Sequence, residues 1–220
     1  MFSSNEKQLA ILIDPGKYGV DCLVNLLQIM QQKPPHYILV GGSTTSSSMD
    51  ETINLIRQYL DVPVILFPGN ASQFTPKADA LMYLSLISGR NPDYLIGQHV
   101  LSSISIKKSG LRVIPVGYML IESGRMTSVE YISNTKPIPS NKSEIAVCTA
   151  VAGELLGMQS IYLEAGSGAD RPVPAEMIAA VKKNISIPLI VGGGIRTVEA
   201  LKNAYAFGAD VVVVGNVLEE

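Results

Sequence analysis

The chain has 220 residues, of which 47% are hydrophobic and 16% are charged, and its formal net charge is -2. This size and composition predict a globular protein with one large core and exclude a disordered chain. The charge balance gives no reason to expect a nucleic-acid surface, and the lack of about 18 unbroken apolar residues argues against a transmembrane helix.

Eight apolar runs recur along the chain, and each is typical of a buried strand. They begin at Leu9 (LAILI), Tyr37 (YILV), Pro63 (PVILF), Ala80 (ALMYLSLI), Leu111 (LRVIPVGYMLI), Ser160 (SIYLE), Ile187 (IPLIV) and Asp210 (DVVVV). Most of the gaps carry a helical pattern, such as VDCLVNLLQIM after the first run. Strands that alternate with helices in this way predict an α/β protein, a (β/α)₈ TIM barrel, with residues 1–220 as a single domain.

Three segments depart from this pattern. The gap after the third run, PGNASQFTPKAD, is rich in breakers, so we predict a loop in place of the third helix. The sequence stops at GNVLEE, soon after the eighth run, and an eighth helix is therefore expected to be missing. The longest stretch without a regular pattern, SGRMTSVEYISNTKPIPSN, is expected to be a functional loop such as a lid.

The cysteines and the first residues indicate the compartment. Cys22 and Cys148 lie far apart in helix-like segments, and we expect two buried free thiols in a reducing environment. Only His36 and His99 are available as histidine ligands and no paired cysteines occur, so zinc is not expected. The start of the chain, MFSSNEKQ, lacks the apolar stretch of a signal peptide, and we expect a cytoplasmic protein.

Glycines follow the last two runs, with Gly192, Gly193 and Gly194 after the seventh and Gly215 after the eighth. In barrels of this kind the chemistry lies on the loops that follow the strands, and the loops after strands seven and eight often bind phosphate. Backbone N–H groups of such glycines can converge on one anion. The structural alternative is that these glycines only form tight turns, but glycine at both neighbouring strand ends favours a phosphate site.

A second candidate anion site follows the first two runs. Asp14 comes directly after the first run with Lys17 three residues later, and Ser43 and Thr44 follow the second. Carboxylate and hydroxyl oxygens suit Mg²⁺, which keeps waters and bridges to substrate phosphates. Lys17 would add a positive charge for the same anion. A turn or N-cap role is the alternative for Asp14. Two anion sites across one barrel mouth would suit a transfer between two substrates.

Seven motifs in a fixed order give the chain a specific resemblance. They are ILIDPGK, LVGGST, LFPGN, SGRNPDYLIGQH, YLEAGSGA, VGGGIRT and VVGN, and they extend from about Leu9 to Asn216. Together they resemble the geranylgeranylglyceryl phosphate synthase family, which includes heptaprenylglyceryl phosphate synthases. The stretch SVEYISNTKPIP also resembles one branch of that family. VGGGIR alone occurs in many phosphate-binding barrels, so the specificity lies in the ordered set.

The resemblance implies a Mg²⁺-dependent prenyl transfer. The free hydroxyl of sn-glycerol 1-phosphate attacks C1 of a polyprenyl diphosphate, with geranylgeranyl as the expected chain, and diphosphate leaves. By position, Asp14 with Ser43 or Thr44 corresponds to the magnesium and diphosphate ligands, and Lys17 belongs with them. The glycerol phosphate pocket corresponds to Tyr162, Leu163, Glu164, Ala165, Gly166, Ser167, Gly168, Gly192, Gly193, Gly194, Gly215 and Asn216. Within it, Glu164 would bind the glycerol hydroxyls and is the best candidate base.

Further expectations accompany the resemblance. We expect a homo-oligomer, a dimer or a hexamer, and a transient membrane contact through which the lipid product leaves. The prenyl chain also needs an apolar groove. The candidates around strands four and five, which are equally suited to ordinary core packing, are Leu84, Leu86, Ile87, Tyr94, Ile96, Val100, Tyr118 and Leu120.

Other interpretations stay open at the level of sequence. Glu164 could belong to a structural ion pair, and Tyr162 could be a packed core residue. A phosphosugar isomerase or lyase could use the glycine site alone. Such enzymes usually need a base together with an electrophile such as Lys or His, and no His follows a strand here. A non-catalytic phosphate-binding scaffold is the third interpretation.

Overall fold

Eight parallel strands close into a barrel in chain order, with the last strand beside the first. The computed structural model describes residues 2–4, 6–42 and 48–215. The strands are β1 (Gln8–Ile13), β2 (Tyr37–Val40), β3 (Val64–Leu66), β4 (Ala80–Leu86), β5 (Arg112–Leu120), β6 (Ser160–Glu164), β7 (Leu189–Gly192) and β8 (Val211–Val214). Each of the eight apolar runs forms one of them, and the predicted TIM barrel is confirmed.

The helices lie between successive strands. The α-helices in the described residues are α1 (Val20–Gln32), α2 (Met49–Tyr59), α3 (Gln98–Ser109), α4 (Ser128–Ser133), α5 (Ser143–Leu155), α6 (Ala175–Asn184) and α7 (Val198–Ala206). A short π-helix, Asp93–Gly97, leads into α3. After β3 the chain forms a loop with one 3₁₀ turn, Ala71–Gln73, in agreement with the prediction. The expectation about an eighth helix concerns residues 216–220, which lie outside the described part. Within that part, no helix is long and apolar enough to cross a membrane.

The alternation of side chains along each strand decides which residues face the barrel interior. In β6, Tyr162 packs inside the barrel, whereas Ile161 and Leu163 pack outward against the helices. Glu164 is two residues beyond Tyr162 and therefore also points inward, at the end where the strands finish. The same period brings further side chains to this end of the barrel from β1, β3 and β5, namely Asp14, Phe67 and Tyr118.

Both cysteines are exposed free thiols, so the prediction of burial is wrong. Helix α1 buries Leu23, Leu27 and Met30 at helical spacing. Cys22 precedes this stripe by one residue, which rotates it by about 100° away from the buried face. Cys148 likewise lies off the positions that α5 buries.

The segment predicted to be a functional loop, residues 123–141, contains a short helix and rests on the loop after β6. Helix α4 is capped by Thr127, whose Oγ1 accepts a hydrogen bond from the Glu130 N–H at 3.4 Å. In that loop, the Arg171 N–H donates to the carbonyl of Ser123 at 3.1 Å. The Arg125 side chain packs against Gly168 of the same loop. A helix of six residues is too short to show a clear period in the sequence, which explains why the segment lacked a regular pattern.

Candidate active site

A cavity at the mouth of the barrel brings most of the predicted site residues together. It is lined by Asp14, Lys17, Tyr162, Glu164, Ser167, Gly168, Gly193, Gly194 and Gly215. The two candidate anion sites therefore share one space. Of the other predicted residues, Leu163 and Ala165 pack in the outer core, and Gly166 and Gly192 support the cavity without lining it. Ser43, Thr44 and Asn216 lie outside the described residues.

The cavity also has walls that the sequence did not assign to it. They are formed by Leu12, Gly41, Gly42, Phe67, Tyr118, Ser128, Val129, Ile195, Arg196 and Val213. Counting every second residue along β1, β5 and β8 would have found Leu12, Tyr118 and Val213. Ser128 and Val129 come from α4, and no local signal in the sequence shows where such a short helix docks.

Glu164 is buried in this cavity, with 6% of its surface exposed. Its Oε1 accepts a hydrogen bond from the Gly166 N–H at 2.6 Å. Burial raises the pKa of the Glu164 carboxyl to about 7, although the Gly166 hydrogen bond and the nearby Tyr162 hydroxyl act in the opposite direction. No ion pair involves Glu164 in the described part of the chain, so a structural ion pair does not account for it. A carboxyl of this pKa can exchange protons near neutral pH.

The raised pKa of Glu164 makes the stability of the protein decrease as pH rises. The unfolded carboxyl loses its proton near its ordinary pKa of about 4.3, whereas the folded one keeps it up to about 7. Between these values the folded state binds more protons, so the free energy of unfolding falls by roughly 2–3 kcal/mol and levels off above the folded pKa.

Urea denaturation at about pH 5 and about pH 8, for the wild type and for Glu164→Gln, measures this effect. Between the two pH values, we expect the free energy of unfolding to fall by roughly 2–3 kcal/mol more in the wild type than in the variant. An identical pH dependence of the two proteins would contradict the raised pKa.

Glycine is required where the loop after β7 approaches Glu164. Gly193 has a φ of +79°, and a Cβ at this position would lie 2.3 Å from Glu164 Oε1 and 2.6 Å from the Gly166 nitrogen. At Gly192, a Cβ would come within 2.2 Å of the Tyr162 hydroxyl oxygen. The predicted phosphate loop is therefore held close against β6, which carries Glu164, and against the loop that follows β6.

Asp14 and Lys17 follow β1, which neighbours β8 in the closed barrel. The Asp14 Oδ1 accepts a hydrogen bond from the Gly16 N–H at 3.1 Å, so the turn role weighed from the sequence is present. The carboxylate nevertheless lines the cavity and lies against Gly42, where a Cβ would be 2.2 Å from Oδ2. Lys17 reaches across the mouth, and its Nζ donates to Ser167 Oγ at 3.1 Å. This contact joins the loop after β1 to the loop after β6.

A second, apolar cavity opens beside the cavity at the mouth, which we call the polar cavity because Asp14, Lys17 and Glu164 line it. Both cavities are lined by Gly42, Phe67, Tyr118 and Val129. Four of the predicted groove residues line it, namely Leu84, Leu86, Tyr94 and Tyr118. The other four do not. Ile96 and Val100 are exposed, Leu120 packs in the barrel interior, and Ile87 packs against the outer core. Helix α3 forms the far wall with His99, Ser102 and Ile106.

Comparison with known proteins agrees with this geometry. The model of the PcrB family matches residues 3–220. The chain belongs to the PcrB family. Its relatives include proteins named geranylgeranylglyceryl phosphate synthase from Spirosoma linguale, 52% identical over 99% of this chain and 88% of the relative, and from Thermococcus gammatolerans, 41% identical over 98% and 85%.

Solved structures resemble this PcrB family member closely. The (S)-3-O-geranylgeranylglyceryl phosphate synthase of Thermoplasma acidophilum, in complex with its substrate sn-glycerol-1-phosphate, superposes with a TM-score of 0.92. It is 34% identical, and the match covers 98% of this chain and 87% of that one. An N-acetylmannosamine-6-phosphate 2-epimerase of Clostridium perfringens superposes with a TM-score of 0.61 at 14% identity. The match covers 96% of this chain and 87% of the epimerase, and it shows a shared fold alone.

Proposed function

We propose that the chain is a prenyltransferase that joins sn-glycerol 1-phosphate to a polyprenyl diphosphate, with geranylgeranyl as the chain, through an ether bond. The observation that carries the proposal is the direct contact between a polar cavity and an apolar one at the barrel mouth. A prenyl diphosphate has one polar end and one long apolar end, and it would need both. The names of the relatives and the substrate bound in the Thermoplasma acidophilum structure support the same assignment.

The glycerol phosphate would bind at the part of the mouth formed by the loops after β7 and β8. Backbone N–H groups around Gly193, Gly194 and Gly215 would hold the phosphate, as in other barrels with glycine loops after strands seven and eight. Glu164 lies deeper in the same cavity and would accept a hydrogen bond from the glycerol hydroxyl. This contact orients the oxygen toward C1 of the prenyl chain and gives its proton a destination.

The diphosphate would bind beside Asp14 and Lys17, at the part of the mouth formed by the loop after β1. The described residues contain no group of three or more His, Cys, Asp or Glu side chains placed to hold a metal. Magnesium often binds through only one or two carboxylates, with waters and substrate phosphates as its other ligands, and the Asp14 carboxylate in the cavity fits that pattern. When bound there, Mg²⁺ would neutralise the charge that builds on the departing diphosphate. Lys17 would contribute a further positive charge.

A phosphosugar isomerase or lyase is the alternative enzyme class. The epimerase that resembles this chain shares only the fold. A small sugar phosphate would also have no use for the adjoining apolar cavity. Prenyl transfer accounts for both cavities, and we therefore prefer it.

The assay that tests the proposal combines the protein with Mg²⁺, sn-glycerol 1-phosphate and prenyl diphosphates of increasing length, with products identified by mass spectrometry. We expect a prenylated glycerol phosphate and the release of diphosphate, both abolished by excess EDTA. If no such product forms with a prenyl diphosphate of any length, the assignment is refuted. Interconversion of sugar phosphates without Mg²⁺ would instead support the isomerase class.

A glycine variant tests the position of the phosphate site. Gly193→Ala would introduce a Cβ that overlaps the Glu164 carboxylate and the backbone of the loop after β6, so we expect glycerol phosphate affinity to fall by at least about tenfold. Gly110→Ala is a matched control, because Gly110 has a similar φ of +70° but nothing within 4 Å of an added Cβ. Calorimetry that finds unchanged glycerol phosphate affinity in a folded Gly193→Ala protein would place the pocket elsewhere.

A further inference from the structure

Three aromatic rings lie where the polar and apolar cavities meet. Phe67 follows β3, Tyr118 lies in β5, and Tyr162 lies in β6. The rings of Phe67 and Tyr162 are stacked with centroids 5.5 Å apart, and the Tyr118 centroid is 6.0 Å from the first and 5.3 Å from the second. Phe67 and Tyr118 line both cavities, whereas Tyr162 lines only the polar one.

We propose that Phe67 and Tyr118 stabilise the allylic carbocation that develops at C1 of the prenyl diphosphate, an inference that rests on the proposed function. C1 joins the apolar chain to the diphosphate, so it must lie at the junction of the apolar and polar cavities. The residues shared by the two cavities define that junction, and two of the four are aromatic. An aromatic ring attracts a cation that lies within about 6 Å of its centroid.

The chemical step creates a charge that these rings can stabilise. The bond between C1 and the bridging diphosphate oxygen breaks, and its electron pair leaves with the diphosphate. Positive charge then spreads over the allylic carbons until the glycerol oxygen donates a lone pair to C1 and passes its proton to Glu164. The neutral rings act only during this interval, which is the condition under which an interaction lowers the barrier of the chemical step.

The environment of the tyrosines suits this role. Burial raises the pKa of the Tyr118 hydroxyl well above its usual value, and the charge of Glu164 raises it further. The pKa of Tyr162 is raised for the same two reasons. Both phenols therefore stay protonated at neutral pH. A phenolate oxygen would compete with the glycerol oxygen for the carbocation, and its protonation removes that competing nucleophile.

Replacing Phe67 by phenylalanines with one, two and three ring fluorines separates charge stabilisation from packing. Fluorine withdraws electron density from the ring and nearly preserves its shape. In single-turnover reactions with saturating substrates, we expect the rate constant to fall stepwise, by roughly 2-fold to 30-fold in total, which is the rate equivalent of one cation–π interaction. The dissociation constant of the prenyl diphosphate should change little, because the ring still fills its place.

The same fluorinated series at Phe2 is the matched control. Phe2 packs edge-on against Tyr37 with centroids 5.3 Å apart, at the start of β2 and thus at the opposite end of the barrel. Fluorination there should leave the single-turnover rate unchanged. At position 118, Tyr118→Phe keeps a ring and should retain most of the rate, whereas Tyr118→Leu should lose about as much as the full Phe67 series.

The outcomes distinguish the inference from the proposed function. A stepwise decline at Phe67 with a flat series at Phe2 supports carbocation stabilisation. A rate that does not respond to fluorination at Phe67, in a protein that still forms the product, overturns the inference and leaves the prenyltransferase assignment intact. A wild-type protein that forms no prenylated product would overturn both.

Discussion

Replacing Glu164 with Gln is expected to lower kcat by about 100-fold. That is the lower end of the range of roughly 100-fold to 10,000-fold that general-base help contributes. We expect the lower end because an ionising allylic diphosphate makes the removal of the proton late and easy. The KM for glycerol phosphate should change little, since an amide oxygen can still accept the hydrogen bond from the Gly166 N–H. The wild-type kcat/KM should increase with pH up to about 7, and this dependence should be absent in the variant.

Two further variants show whether a lower kcat of Glu164→Gln reflects the loss of a base. Glu164→Ala removes both the base and the orienting contact, so it should be slower than Glu164→Gln. Glu122→Gln makes the same chemical change at an exposed carboxylate that accepts from Ser140 outside the cavity, and it should keep full activity. If Glu164→Gln is stable to heat and works at a near wild-type rate, Glu164 is not the base and only orients the alcohol.

Replacing Asp14 with Asn is expected to lower the rate by at least about 100-fold, equivalent to ~3 kcal/mol of transition-state stabilisation. The amide keeps the shape of the side chain and can still accept from the Gly16 N–H, but it removes an anionic oxygen from the cavity. Glycerol phosphate binding should be almost unchanged, because the backbone of the loops after β7 and β8, and not the Asp14 side chain, would hold its phosphate. Steady-state rates over a Mg²⁺ titration, combined with calorimetry for glycerol phosphate, separate the two effects.

Asp21→Asn controls for the loss of one negative charge near the start of the chain. Asp21 lies in the first turn of α1 and does not line the mouth cavity. We expect this variant to have wild-type activity at every Mg²⁺ concentration. Full activity of the wild type in excess EDTA, or of Asp14→Asn in Mg²⁺, would refute the magnesium role of Asp14.

The sequence was sufficient to predict the barrel and most of the polar residues at its mouth. Each strand is a continuous apolar run, because both faces of a barrel strand are buried, and such runs are visible without any tertiary information. Asp14, Glu164 and Gly215 were identified because they follow or end a strand, and parallel strands bring those ends to one edge. The loop in place of the third helix was visible from its lack of apolar periodicity.

Other parts depend on tertiary packing that a local pattern does not encode. Leu163 and Ala165 were grouped with the pocket by position along the chain, yet the alternation of β6 turns them outward. Helix α4 supplies Val129 to both cavities, and only the folded chain shows where it docks. Only half of the predicted groove residues line the apolar cavity, because residues such as Ile96 and Leu84 have the same chemistry and differ only in the face they occupy.

The most direct test of the account follows one oxygen atom through the reaction. Glycerol 1-phosphate labelled with ¹⁸O in the attacking hydroxyl is incubated with the protein, Mg²⁺ and geranylgeranyl diphosphate, and both products are analysed by mass spectrometry. If the glycerol oxygen attacks C1 beside Glu164, the label stays in the ether product and the released diphosphate carries none. Label in the diphosphate, or the absence of an ether product, would contradict the proposed transfer.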